Sequence, residues 1–287
     1  MAVRPWSFPA SAMPVAVTLA YLWWMGQEVN WLNGVWALLN IIVFHAAGNT
    51  WSDYFDYRRE VDAKDTFSVR TLTEGLFTPK EIYRLSVGLL VVALAGGIGL
   101  LVRTGVPLLY IGIGGVACTL LYPPLKYHAL GDAVIFVAYA LLPMLGTAYA
   151  ATGVMDGSTL WIALPVGLIT VAILHANNTR DIPTDRRAHI RTLAMTLGGR
   201  VSVFLYAFEV LFPFGWIAGC AAGGVLPWWA LLTLPALCMA WSNVRRMRLF
   251  FTVGREGIVS VDERTAQLQL LFSLLLIVSF VVAGVLS

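Results

Sequence analysis

Long apolar runs separated by polar joins set the pattern of this chain. Nine runs stand out, near residues 11–27, 31–49, 82–102, 106–122, 130–151, 158–178, 201–220, 224–242 and 267–286. A helix of about 20 apolar residues crosses a bilayer, so each run predicts a membrane span. The runs are continuous rather than alternating, which argues against a β-barrel. The fold class expected is all-α, a polytopic membrane protein of nine transmembrane helices, with residues 1–287 forming a single membrane domain.

The joins are unequal. Those at 28–30, 103–105, 152–157 and 221–223 are short and fall on one side. Those at 50–81, 123–129, 179–200 and 243–266 are longer and fall on the other. Of the 19 Lys and Arg, all but Arg103 lie on the long-join side. The positive-inside rule therefore places the N-terminus and the long joins in the cytoplasm, and nine spans put the C-terminus outside. Of the 16 Asp and Glu, only Glu28, Asp156 and Glu209 lie elsewhere. Ionic chemistry is thus expected at the cytoplasmic face.

Composition agrees with the pattern. Hydrophobic residues make up 59% and charged residues 12% of the 287, about half the charge of a soluble domain. Mean hydropathy is +0.76. Cys118, Cys220 and Cys238 all fall in apolar runs without a CxxC pair, so they read as packing residues. The N-terminal "MAVRPWSFPASAMPVAVTLAYLWW" imitates a signal peptide, but more spans follow, and it reads as a retained first span. Gly219 and Gly223 form a GxxxG, which reads as close helix packing.

Two acidic clusters break the apolar pattern. "NTWSDYFDYRREVD" (residues 49–62) follows the second run, and "HANNTRDIPTD" (residues 175–185) ends the sixth. From His45 the chain reads "HAAGNTWSD" and from His175 "HANNTRD", each a histidine, then asparagine and spaced aspartates, which hints at an internal repeat. On a helix, Asn49, Asp53 and Asp56 share a wedge of about 60°. Asn177, Asp181 and Asp185, an i, i+4, i+8 series, share one of about 80°, unless Pro183 breaks the register. Carboxylates gathered this way repel one another, and divalent cations would relieve them. Mg2+ takes oxygen ligands and commonly shares them with substrate phosphates. Asn49, Asn177 and Asn178 add amide oxygens and donors, and Arg58, Arg70, Arg180 and Lys126 offer grips for phosphate. The clusters together suggest a diphosphate held by Mg2+ at the membrane face.

Plainer readings compete. Either cluster alone would be a solvated loop, and Glu60, Asp65 and Glu74 are best read that way. His45 and His175 read as hydrogen-bonded packing residues, and Lys126 as a candidate to snorkel to the interface. Intramembrane acids also mark ion pathways, so a transporter is the rival class, although the opposite side carries only Glu28 and Asp156 and no matching cluster to complete a path.

At these residues the chain resembles the UbiA superfamily of intramembrane prenyltransferases. The register N-x3-D-x2-D-x5-D, from Asn49 to Asp62, and "NNTRDIPTDRRAHIRTLA" resemble the branch that prenylates 1,4-dihydroxy-2-naphthoate for menaquinone. "RPWSFPASAMPVA" and "ERTAQLQLL" are closer still to the vertebrate vitamin K2-forming members. The resemblance implies nine helices around a central cavity with cytoplasmic cap loops. It implies Mg2+-dependent transfer from a prenyl diphosphate to an aromatic acceptor, with loss of CO2 in the naphthoate branch. Asn49, Asp53, Asp56 and Asp62 would bind metal on one side, and Asp181 and Asp185 on the other. Arg70, Lys126, Tyr122 and Tyr127 would contact diphosphate, to which the residue reading above adds Asn178 and Arg180. Other acceptors, such as 4-hydroxybenzoate or homogentisate, fit the same motifs. Glu60 and His189 depart from glycines common in that branch, which affects the cap loops and leaves the metal positions intact. A bacterial cytoplasmic membrane is the expected location, and neither a nucleic acid nor a protein partner is implied.

Overall fold

A computed structural model describes residues 2–59 and 71–286, and helix accounts for nearly all the regular structure. The elements are α1 (Pro9–Trp24), α2 (Trp31–Arg58), α3 (Pro79–Thr104), α4 (Pro107–Lys126), α5 (Gly131–Phe136), α6 (Leu142–Thr152), α7 (Leu160–Arg180), α8 (Ile182–Arg187), α9 (Leu193–Leu197), α10 (Gly199–Ala222), α11 (Leu237–Met247) and α12 (Val261–Leu286). The only strand-like pairing among the described residues is an isolated bridge between His128 and Arg191.

Local chemistry sets the ends. Asn30 caps α2 by accepting from the Asn33 amide, and Thr78 and Glu81 form a reciprocal capping box on α3, whose first residue is Pro79. Gly153 ends α6 in the left-handed conformation at φ 75°, which costs a residue without a Cβ little. A π turn at Val137–Leu141 joins α5 to α6 into one span. Pro143 has no N–H for the Tyr139 carbonyl, so the helical ladder loosens there.

Seven helices are long and apolar enough to cross a membrane among the described residues: Trp31–Arg58, Pro79–Thr104, Pro107–Lys126, Gly131–Thr152, Gly157–Arg180, Gly199–Ala222 and Gly254–Leu286. The other two expected spans take different forms. The run at 11–27 yields α1, only 16 residues long and closed by Met25. The run at 224–242 becomes a 3-10 segment, Trp228–Ala236, before α11 begins. Pro227 and Pro235 withhold backbone donors there, which disfavours a continuous α-helix.

The two sides of the bundle differ in packing. Tyr21 of α1, Val166 and Ile169 of α7, Tyr206 of α10, and Phe272 and Phe280 of α12 form a dense core. Over half of the α7 span, 56%, is buried, against 6% for α4, so α7 is the central strut and α4 an outer wall. Gly167 lets α7 approach α5, since a Cβ there would lie 2.6 Å from the Phe136 ring. Between α7 and the looser α2–α4 wall lies a cavity of about 880 Å3. On the side of the short joins, Arg103 donates to Asn33 at 2.9 Å, and Asn33 donates to the Ala150 carbonyl at 2.9 Å.

Candidate active site

The cavity is apolar along most of its length, with Phe44, Ile98, Leu109, Ile111 and Leu174 among its lining. Its polar residues are concentrated where α2, α4, α7 and α8 end. Asn49, Asp56, Tyr122, Lys126, Asn178, Asp181 and Asp185 all line it, joined by Arg4, Asn177 and Asp262. The acidic part of the first cluster is helical, because α2 continues to Arg58. In the second cluster α7 stops at Arg180, and Pro183 starts a new turn rather than ending the register. The Asp185 amide donates to the Asp181 carbonyl at 2.9 Å, which keeps Asp185 one turn beyond Asp181.

Each half is tied to cations. Lys126 Nζ donates to Asp56 Oδ2 at 3.0 Å, the Tyr127 hydroxyl donates to Asp56 Oδ1 at 2.6 Å, and Ser52 adds a bond at 3.1 Å. Burial and the Asp56 charge push the Tyr127 phenol well above its ordinary value, so it remains a donor. Asp53 is buried and paired with Arg4. The same N-terminal segment engages Asn49, which donates to the Val3 carbonyl at 3.1 Å and to Ser7 Oγ at 3.2 Å. His45 braces that segment through Ser7 at 3.1 Å and Ser11 at 2.8 Å, as its packing reading anticipates.

Several expected placements change. Arg180 does not line the cavity. It is buried, bonds both oxygens of Asp181 at 2.9 Å, and reaches Asp262 at 2.7 Å and the Val259 carbonyl at 3.3 Å. Its guanidinium is thus paired with two carboxylates, Asp181 and Asp262. Tyr127 and Asp53 stand behind the lining, Tyr127 bonded to Asp56 and Asp53 paired with Arg4. Arg58 is exposed and lies over the Tyr54 ring, away from the mouth. Lys126 is bound to Asp56 rather than snorkelling. Asp62 and Arg70, like Glu60 and Asp65, lie outside the described residues.

Arg4, Asp262 and Asp132 join the site without having been anticipated. Arg4 is the only charge in the first 27 residues, which was a usable signal. Asp132 accepts from Asn178 at 3.2 Å, a contact between residues 46 apart that no sequence pattern announces.

The donor set is all oxygen and nitrogen amide: four carboxylates and three asparagines. The Asp185 carboxyl shows why a cation fits. It is pushed up to about 7, first by burial and then by the Asp181 and Asp56 charges, despite Lys126 and Arg180 pulling the other way. A divalent ion at this point would restore the ionised form, and oxygen-rich sites suit Mg2+.

A model of the UbiA prenyltransferase family matches residues 12–250. UbiA prenyltransferase domain-containing protein 1 of Xenopus tropicalis is 33% identical over 295 residues, covering 99% of this chain and 81% of the relative. The Homo sapiens protein of that name is 31% identical over 293 residues, covering 99% and 83%. Among solved structures, the apo form of a UbiA homolog from Aeropyrum pernix K1 matches with a TM-score of 0.68 at 15% identity, covering 96% of this chain and 97% of the homolog. A UbiA homolog from Archaeoglobus fulgidus bound to GPP and Mg2+ matches with a TM-score of 0.59 at 12% identity, covering 96% and 98%. At such identities these structures establish the fold. The two curated relatives are animal proteins, and the expectation of a bacterial cytoplasmic membrane gains nothing from them.

Proposed function

The chain belongs to the UbiA prenyltransferase family and is a membrane prenyltransferase, and we propose that its donor is a prenyl diphosphate, its metal Mg2+ and its acceptor a hydroxylated aromatic ring. The observation that carries this reading is the meeting of Asp56 and Asp185, from opposite halves of the chain, at the polar end of one apolar cavity. That both halves contribute supports reading the chain as one domain. The Archaeoglobus homolog was solved with GPP and Mg2+, which supports the choice of donor and ion. Glu28 and Asp156, on the short-join side, do not line the cavity, which weighs against a transport path.

Asn49, Asp53 and Asp56, with Asp62 by register, would hold one metal–diphosphate face, and Asp181 and Asp185 the other. Bound Mg2+ supplies Lewis-acid stabilisation of the departing diphosphate. Lys126 adds positive charge beside those oxygens, and Arg4 lines the same mouth. Tyr122 and Asn178 contact the diphosphate from the lining, with Arg70 assigned there by resemblance. The allylic C–O bond breaks and its electron pair leaves on the diphosphate. A ring carbon of the acceptor attacks the prenyl cation, forming a C–C bond, and loses a proton, or its carboxylate as CO2, to become aromatic again. Phe44 and Tyr139 in the lining offer ring faces to the cation, and the apolar walls keep water from it.

For the acceptor, the register from Asn49 to Asp62 supports a 1,4-dihydroxynaphthalene ring, with 1,4-dihydroxy-2-naphthoate as the leading substrate. Charge asymmetry supports a cytoplasmic mouth. Membranes carrying the protein, supplied with Mg2+, prenyl diphosphates of several lengths and an acceptor panel, test the assignment by product mass. A prenylated naphthalene supports it, a monocyclic product alone replaces the ring, and no product with any acceptor overturns it.

A further inference from the structure

Three ionisable side chains lie inside the wall of the bundle and take no part in the lining. Asp132 begins α5, His175 sits in α7 and Glu209 in α10, exposed by only 6%, 0% and 3%. His175 Nδ1 lies 3.1 Å from Asp132 Oδ2 and 3.3 Å from Glu209 Oε1. Ionisable groups within a membrane are costly, and where they persist they usually serve function. None of the three touches the cavity, so whatever they do must pass through a neighbour.

The link to the cavity is Asn178. Its Nδ2 donates to Asp132 Oδ1 at 3.2 Å, and its side chain lines the cavity one turn before Asp181. Because Asp132 Oδ1 accepts that bond, it dictates which end of the amide faces it. With Nδ2 committed to Asp132, the Asn178 carbonyl oxygen is presented to the mouth. His175 Nδ1 stands behind the Asp132 carboxyl, between it and Glu209. Asp132 also follows Gly131, which packs against the Lys126 backbone: a Cβ on Gly131 would lie 3.4 Å from the Lys126 Cα.

We infer that Asp132, His175 and Glu209 form a buried positioning set that fixes the Asn178 carbonyl oxygen toward the diphosphate-bound cation. This deepens the proposed function and rests on it. The Asp132→Asn variant is the sharpest probe, because an amide at 132 can donate as well as accept and no longer dictates the orientation of Asn178. Partners that orient metal ligands from behind typically matter by about 10–100-fold in affinity.

The test measures binding of Mn2+ with inorganic diphosphate to purified protein by electron paramagnetic resonance, alongside kinetics with prenyl diphosphate and thermal melting. Asp132→Asn and His175→Gln should each weaken Mn2+–diphosphate binding about tenfold or more, and raise KM for the donor more than they lower kcat. In an Asn178→Ala background neither should weaken binding further, because the path through Asn178 is already cut. Additive losses in the double variants, or folded Asp132→Asn and Glu209→Gln proteins that bind like wild type, would overturn the positioning set alone. A tightly held divalent ion that His175→Gln releases would also overturn it, since the trio would then be a metal site of its own. Wild-type protein that binds no Mn2+–diphosphate would overturn the functional reading and this inference together.

Discussion

Lys126 Nζ meets Asp56 Oδ2 at 3.0 Å, joining the end of α4 to the end of α2 across 70 residues of sequence. The pair lies at the polar mouth, and both residues line the cavity. It places a cation beside the carboxylate where the diphosphate is proposed to sit. A Lys126→Met variant should therefore raise KM for prenyl diphosphate by about ten- to a hundredfold, the worth of a hydrogen bond to a charged group. Lys126→Arg should recover part of the loss. Steady-state kinetics on the two variants check this.

Asp185 sets function against stability. Its carboxyl is crowded by Asp181 and Asp56 and buried. Asp185→Asn should nearly abolish transfer while leaving the melting temperature at or above that of wild type, the trade-off common at strained sites. Activity and thermal unfolding of the same preparation provide the comparison.

The same carboxyl predicts a pH dependence. Held near 7 rather than 3.8, it keeps its proton longer in the folded than in the unfolded state. Metal-free protein should accordingly lose stability as pH rises between those two values. In EDTA, Asp185→Asn should melt higher than wild type at neutral pH, and the gap should close on acidification to about pH 4. Melting curves across that range would show it.

Arg4 pairs with Asp53 and lines the mouth. Arg4→Gln should weaken donor binding, raising KM about tenfold with a smaller change in kcat. Donor titration in membranes reads this directly, and an unchanged KM would remove Arg4 from the site.

The cavity predicts control of prenyl length. Gly112 lines it and has open space where a Cβ would project. It lies 14 residues before Lys126 on α4, about 21 Å along the helix from the mouth. Gly112→Leu should shift preference toward shorter prenyl diphosphates. Competition between donors of different length, read by product mass, tests that shift.

Much of the site was legible because helical periodicity does the sorting. Asn49, Asp53 and Asp56 needed only the 100° step to share a face, and Asp181 and Asp185 kept their spacing across Pro183. The pairing of Arg180 was hidden for the opposite reason. Its partner Asp262 lies 82 residues later, and no local pattern tells a guanidinium which carboxylate it will meet. The pairing of Asp132, His175 and Glu209 spans three helices and is likewise invisible along the chain. Seven of the nine expected spans are long apolar helices; the 224–242 run departs from one where Pro227 and Pro235 withhold backbone donors, since hydropathy reports burial in lipid but not the continuity of a helix.

The central claim is that two aspartate clusters jointly hold Mg2+ and prenyl diphosphate for transfer. The most direct measurement is Mg2+-dependent product formation, by mass, in membranes carrying either wild type or the Asp181→Asn, Asp185→Asn double variant at matched expression. Product from wild type that needs Mg2+, and almost none from the double variant, is the result predicted. Transfer by the double variant at the wild-type rate would contradict the account.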